Sequence, residues 1–366
     1  MTRTPVASAL PDFPWDSLAE AKATATAHPD GIVNLSVGTP VDPVSPVIQQ
    51  ALASVAEIPG YPTTHGTTEL RESAVASLAR RYRLTGITAD SILPAIGTKE
   101  LIAWLPSLLG LGGDDLVVIP ELAYPTYEVG AKLAGARVLR ADGLTRVGPE
   151  QASLIFVNSP SNPTGKVLGV DHLRKVVSWA RARGVIVASD ECYLGLSWDG
   201  EAVSILDERV NDGDLTGLLA IHSLSKTSNL ASYRAGFVTG DPALVSELLE
   251  VRKHAGMILP LPVQAAMTAA LADDEHEKIQ RERYRRRREV LLNAVRGAGF
   301  TVEHSEAGLY LWATRGEHGR DTVQWLAQRG ILVAPGDFYG PGGTNFVRIS
   351  LTETDERIDA AAARLR

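Results

Sequence analysis

The chain has 366 residues, more than one hydrophobic core usually carries, so its length points to two domains. A net charge of −7, with 45% hydrophobic and 22% charged residues, suits a globular protein and speaks against nucleic acid as a partner despite local basic runs. A single cysteine, Cys192, excludes an intrachain disulfide and suits a reducing cytoplasm, and no stretch approaches the ~20 apolar residues of a membrane span.

The first segment, Met1 to Pro11, lacks the basic-then-apolar pattern of a signal peptide. Residues 1–45 are rich in Pro and Gly and read as an arm belonging to the smaller domain. A short helix from Trp15 to His28 is expected there, stopped at Pro29-Asp30-Gly31. The strand-like Ile32 to Ser36 then runs into Val37-Gly38-Thr39-Pro40, where Gly38 allows a ligand to approach the backbone; a plain turn is the alternative. Pro46 to Val55 reads as helix. The loop Gly60 to Gly66 carries Tyr61 and precedes a helix from Thr68 to Tyr82. The strand Ile92 to Ile96 then meets Gly97-Thr98-Lys99, which opens a helix reaching Leu109. A Gly-Thr pair at a helix head offers free N–H groups, a hydroxyl and the positive dipole end to a phosphate, although an ordinary N-cap has the same sequence.

From Leu116 the pattern alternates. Strands are expected at 116–119, 137–139, 154–157, 185–188, 218–221 and 236–239, with helices at 124–133 and 170–183. Apolar strands without polar alternation imply a mostly parallel sheet buried between helices, an α/β architecture. A helix from Pro242 to Ala255 follows, then a long helical region from Pro262 to Val295 containing Arg285 to Arg288, read as a solvated face. After Gly297-Ala298-Gly299 short strands and helices make a small α+β domain. The expected division is an arm over 1–45, a large domain over 46–280 and a small domain over 281–366.

Several strand ends carry chemistry. Ser223-Leu224-Ser225-Lys226 follows a buried strand, with Arg234 eight residues later. A lysine leaving a sheet edge beside hydroxyls and a guanidinium suggests a Schiff-base lysine next to a phosphate site, as in binding of pyridoxal phosphate (PLP). Asp190 ends another strand, and a buried carboxylate there needs a cationic or hydrogen-bonding partner. Tyr193 stands three residues on. Asn158-Ser159-Pro160-Ser161-Asn162-Pro163-Thr164-Gly165 makes a rigid turn at a third strand end, with cis bonds possible. Each of these motifs has a plain structural reading by itself: an exposed lysine, a surface acid, a tight turn.

Taken in order, Asn-Pro-Thr-Gly, Asp-x-x-Tyr and Ser-x-Ser-Lys with the later Arg resemble the fold-type I PLP enzymes of aminotransferase class I/II. The separations are 28 from Asn162 to Asp190, 3 from Asp190 to Tyr193 and 8 from Lys226 to Arg234. The resemblance runs from the Gly38 loop to Arg348. It implies a large domain with a seven-stranded sheet and a transaminase using PLP and no metal. Lys226 would hold the cofactor and move a proton at the substrate α-carbon. Asp190 would pair with the pyridinium nitrogen, and Asn162 and Tyr193 would hold the ring's phenolic oxygen. Gly97, Thr98, Ser223 and Arg234 would bind the phosphate with Lys99 assisting, and Tyr124 would stack on the ring. Tyr61 would reach a partner subunit's phosphate, which implies a homodimer. Arg348 would take the substrate α-carboxylate, with Gly38 and Asn162 beside it.

The N-terminal third, including Leu10 to Asp16, His28 to Pro43 and Pro59 to Thr64, resembles the actinobacterial N-succinyldiaminopimelate aminotransferases. That implies a cytoplasmic step of lysine and diaminopimelate synthesis, with glutamate and 2-oxoglutarate as the second pair. Such substrates call for cations beyond Arg348; Lys99, Arg252 and Lys253 are the candidates. Gly256 to Pro260 either shapes the side-chain pocket or links helices. Competing readings are an aminotransferase for alanine, aspartate or aromatic acids, a β-C–S lyase, a PLP-binding regulatory domain and a cofactor-free interaction protein.

Overall fold

The computed structural model describes residues 5–366. Two 3₁₀ turns, Val6–Ala9 and Pro14–Leu18, lead into α1 (Ala19–Thr26), β1 (Val33–Asn34), α2 (Pro46–Ser54) and α3 (Thr68–Tyr82). The alternating part runs β2 (Ile92–Ile96), α4 (Thr98–Leu108), β3 (Leu116–Ile119), α5 (Thr126–Leu133), β4 (Arg137–Arg140), α6 (Leu144–Val147) and β5 (Leu154–Asn158). It continues with α7 (Val170–Arg181), β6 (Ile186–Asp190), α8 (Glu208–Asn211), β7 (Leu218–Ser223) and β8 (Ala235–Gly240). Three helices follow, α9 (Pro242–Ala255), α10 (Leu261–Ala272) and α11 (Glu275–Gly297). The chain ends with β9 (Thr301–Glu303), β10 (Tyr310–Thr314), α12 (Gly319–Ala327), β11 (Ile331–Leu332), β12 (Ala334–Pro335), β13 (Val347–Ser350) and α13 (Asp355–Arg364).

Seven strands form one sheet in the order β2-β8-β7-β6-β5-β3-β4. It is mostly parallel; β8 alone runs antiparallel to both of its neighbours. The alternation of side chains across each strand explains the missing polar pattern. Leu116 and Val118 enter one core while Val117 and Ile119 enter the opposite one. Leu218 and Ala220 are likewise separated from Leu219 and Ile221. Both faces pack against apolar cores, so most positions of either register are apolar.

A second, antiparallel sheet has the order β12-β13-β10-β9, and β1 pairs in parallel with β11. Its core gathers Leu18, Ala25, Val33 and Leu35 from the N-terminal segment with Trp312, Tyr339 and Ile358 from the C-terminal one. Chain ends far apart in sequence thus share one hydrophobic cluster.

The expected helix from Trp15 to His28 is divided into the 3₁₀ turn Pro14–Leu18, with the proline at its first position, and α1. The helical run expected over 262–295 breaks at Asp273-Asp274. Asp273 turns its carboxylate onto the Glu275 N–H (3.0 Å), and Arg80 and Arg81 hold Asp274 at 2.6 and 2.7 Å. The strand expected through Ile331 to Ala334 is divided between β11 and β12, which pair in different sheets.

The basic run is not uniformly solvated. Arg285 pairs with Glu282 and Glu289, Arg286 with Asp355 and Arg288 with Asp199. Arg287, however, is 2% exposed and spans from Asp355 (2.8 Å) to Asp42 (2.7 Å), so it ties α11 to the N-terminal segment. A buried guanidinium with two carboxylate partners is an internal strut rather than a binding face.

Candidate active site

The carboxyl ends of β5, β6 and β7 and the head of α4 open onto a cavity of about 720 Å³, the crevice position expected of an open α/β sheet. At the end of β7 the Ser225 N–H donates to Ser223 Oγ (3.1 Å), turning the chain so that Lys226 enters the cavity. Its Nζ donates to the carbonyl of Gly38. Burial, with the positive charges of Arg348 and Arg234, draws the Lys226 pKa below the usual lysine value. That favours the free amine required of a nucleophile or base.

Asp190, at the end of β6, is 5% exposed. Its Oδ2 accepts from Tyr127 Oη (2.7 Å) and its Oδ1 from the Cys192 N–H (3.2 Å). Burial raises its pKa although these donors oppose the shift. No cation pairs with Asp190 among the described residues, so a buried carboxylate at the cavity wall is uncompensated.

The Asn158 side chain organises the loop after β5. Its Nδ2 donates to the Asp190 carbonyl (2.9 Å), and its Oδ1 accepts from the Asn162 N–H (2.8 Å). The Ser159–Pro160 and Asn162–Pro163 bonds in this loop are cis. Asn162 Oδ1 accepts from Arg348 Nη1 (2.9 Å), and Arg348 Nη2 donates to the Ser36 carbonyl (2.8 Å). Arg348 Nε is buried without a partner. The guanidinium lies 3.8 Å from the ring centroid of Tyr310 and 5.0 Å from that of Tyr339. It is fixed on two aromatic faces, with one donor left unsatisfied.

Gly97, at φ +78°, precedes α4, and a Cβ there would collide with the guanidinium of Arg234. Arg234 is itself left-handed at φ +58° and donates to the Ala231 carbonyl (2.8 Å). A helix N-terminus, a hydroxyl from Thr98 and this guanidinium therefore converge, a donor set suited to a phosphate. Lys99 follows at the rim, its Nζ 5.8 Å from the Phe13 ring centroid. Desolvation and nearby Arg234 lower its pKa.

The cavity lining brings together Gly38, Thr98, Lys99, Tyr124, Asn162, Asp190, Tyr193, Ser223, Lys226, Arg234 and Arg348. Gly97 stands directly behind them against Arg234. Tyr61 is not brought in; it is fully exposed on the loop between α2 and α3. Arg252 and Lys253 do not line the cavity. Arg252 is fully buried on Glu100 (3.1 Å), and Lys253 pairs with Glu250 (2.6 Å). Gly256 to Pro260 joins α9 to α10 and is absent from the lining. Sequence reasoning missed Tyr310, Tyr127, Phe13 and Trp15. Tyr127 lies one helical turn beyond Tyr124, which was a usable signal; the others carried none.

The sequence family described as aminotransferase class I and II matches residues 30–365. The chain belongs to that family. A probable aminotransferase of Mycobacterium tuberculosis is 70% identical over 98% of this chain and 86% of the relative. A 4-dedimethylamino-4-oxo-anhydrotetracycline transaminase of Streptomyces rimosus is 58% identical over 97% of this chain and 99% of its own length. Among solved structures, a probable N-succinyldiaminopimelate aminotransferase from Thermus thermophilus superposes with TM-score 0.86 at 30% identity, covering 96% of this chain and 99% of that one.

Aminotransferases of this class depend on PLP, and the residues present fit it. The uncompensated Asp190 suits a protonated pyridine nitrogen, the Gly97–Arg234 contact leaves an anion cradle that a side chain would fill, and Lys226 offers a depressed amine between them.

Proposed function

We propose that this aminotransferase passes an amino group between N-succinyl-L,L-2,6-diaminopimelate with 2-oxoglutarate and the corresponding 6-oxo acid with glutamate. The observation that carries this reading is the charge of the cavity wall. Lys99, Lys226, Arg234 and Arg348 line it, against Asp190 as its single carboxylate. With Arg234 assigned to the cofactor phosphate and Arg348 to the α-carboxylate, Lys99 remains for a distal carboxylate. The Thermus thermophilus protein of that name supports the same substrate.

Bound PLP supplies the electron sink that makes the α-hydrogen of an amino acid acidic. The remaining work belongs to the chain. Asp190 keeps the pyridine nitrogen protonated. Asn162 would hold the phenolic oxygen, with Tyr193 beside it, and Tyr124 would pack on the ring. Gly97, Thr98, Ser223 and Arg234 hold the phosphate. Arg348, which lines the cavity, would bind the α-carboxylate and turn the α-hydrogen toward Lys226. Lys226 Nζ would take that proton from the α-carbon, a positioned general-base step. Tyr61, exposed on its loop, completes the phosphate site of a partner subunit in a homodimer.

A second reading has its own support. The Streptomyces rimosus relative, 58% identical, is named for a polycyclic ketone, and the rim here carries Phe13 and Trp15 with centroids 5.6 Å apart. The two readings share the amino-donor end and differ in the acceptor. Glutamate, N-succinyl-L,L-diaminopimelate, aspartate, alanine and phenylalanine are each added to the cofactor-loaded protein, and loss of its visible band is recorded. Rapid loss with glutamate and the succinylated compound alone supports the proposal. Loss with glutamate but not the succinylated compound overturns it, and amination of a polycyclic ketone would then favour the second reading.

A further inference from the structure

We propose that Tyr310 is a positioning residue of this site: its hydroxyl decides whether Tyr193 donates a hydrogen into the cavity, and its ring holds Arg348 in the plane that meets the substrate carboxylate. The inference rests on the cofactor assignment and is independent of the amino acceptor.

Tyr310 begins β10, opposite Ser350 of β13, and is 4% exposed. Its Oη lies 3.2 Å from Tyr193 Oη, with the rings edge-to-face at 74°. A Cβ on Gly38 would run into the same hydroxyl, so the Gly38 backbone lies directly against it. That residue's carbonyl takes the hydrogen of Lys226 Nζ. Tyr193, Gly38 and Lys226 therefore meet around one buried phenol, while Arg348 lies 3.8 Å over its face.

The charged and titratable groups facing Tyr310 are Arg348 from β13, Lys226 from the loop after β7, and Tyr193 and Cys192 after β6; Tyr124, Tyr284 and Tyr339 complete its surroundings. Burial works to raise the Tyr310 pKa, but the charges of Arg348 and Lys226 and the hydrogen bond from Tyr193 outweigh it, and the net direction is downward. Tyr193 moves the opposite way, upward through burial and through Tyr310 itself. Two touching phenols divided in this way have one donor and one acceptor. Either hydroxyl can donate across this contact, and the cations beside Tyr310 favour Tyr193 as the donor, which directs its hydrogen away from the cavity.

Tyr310→Phe keeps the ring under Arg348 and removes the hydroxyl. Tyr193 is then free to donate to the phenolic oxygen of the cofactor. That favours the deprotonated cofactor–lysine unit. The midpoint of the pH-dependent change in the visible absorbance of the loaded protein should therefore fall by about one pH unit. Tyr193→Phe should abolish the effect, so the double variant should have the midpoint of Tyr193→Phe alone. In the cofactor-free protein, ultraviolet titration should show one phenolate forming below the ordinary tyrosine range near ~10, present in the wild type and missing in Tyr310→Phe. A midpoint unmoved to within roughly 0.2 units would overturn the proposal. So would a wild-type titration lacking the low phenolate, a result that stands even if the variant does not fold. A loaded wild type without a visible band would instead sink the cofactor assignment, leaving the phenolate titration to decide on Tyr310.

Discussion

The inner end of the cavity and its rim are built differently. Inside, Asn162, Asp190 and Lys226 leave consecutive neighbours of one sheet, with Asn162 and Asp190 6% and 5% exposed. Their positions are fixed by strand register and by dry cores on both faces. At the rim, Phe13 and Trp15 come from a 3₁₀ turn and the segment before it, Phe13 is 55% exposed, and Lys99 lies beside the Phe13 ring. On the proposed roles, the chemistry common to every substrate falls on the rigid scaffold, and discrimination between substrates falls where packing constrains the chain least.

That contrast can be broken by substitution, the largest effect belonging to the inner end. Lys226→Ala should lower transamination by about 10⁴-fold or more with every amino acid, because nucleophile and proton carrier are lost together. Steady-state assays with glutamate and with the acceptor check it; a loss confined to one substrate would contradict the role. Arg348→Gln should lower kcat/KM by about 10²- to 10³-fold, again for all substrates, since each must present an α-carboxylate.

At the rim the effect should be smaller and selective. Lys99→Ala should raise KM about tenfold for the substrate with a distal carboxylate, as expected for one partly exposed charge pair, and leave alanine turnover unchanged. Equal effects on both would place Lys99 on the cofactor instead, the role its neighbour Thr98 shares.

The smallest effect lies behind both regions. Burial pushes the Glu191 carboxyl up to about 7, although its Oε1 accepts from Ser189 and from the Ile205 N–H. His222 is 3.7 Å away but is kept neutral by burial at about 3, so the contact is no ion pair near neutral pH. The folded pKa lies above the unfolded one. The stability is therefore complete below pH 4.5 and falls as pH rises toward 7. Glu191→Gln should flatten that slope, by roughly 2 °C in Tm per pH unit, in thermal melts across this range.

The same contrast explains what the sequence made legible. Lys226, Asp190, Asn162 and Gly97-Thr98 each end a strand or open a helix, and each carries a local pattern with a physical cause. The seven-stranded sheet was readable because its strands are uniformly apolar and regularly separated by helices. Tyr310 was hidden because its strand also reads as core, and only the fold sets it against Tyr193, 117 residues away. Phe13 and Trp15 were hidden because an irregular segment has no period. Arg287 was misread because four adjacent arginines look alike until Asp42, 245 residues distant, selects one.

The central claim is that Lys226 carries the cofactor at the junction of these two regions. Borohydride reduction of the loaded protein, followed by peptide mapping, tests it directly. The cofactor should be fixed to the peptide containing Lys226, and Lys226→Ala should retain none after reduction and unfolding. Recovery of the label on Lys99 or another lysine, or equal labelling of the variant, would contradict the account.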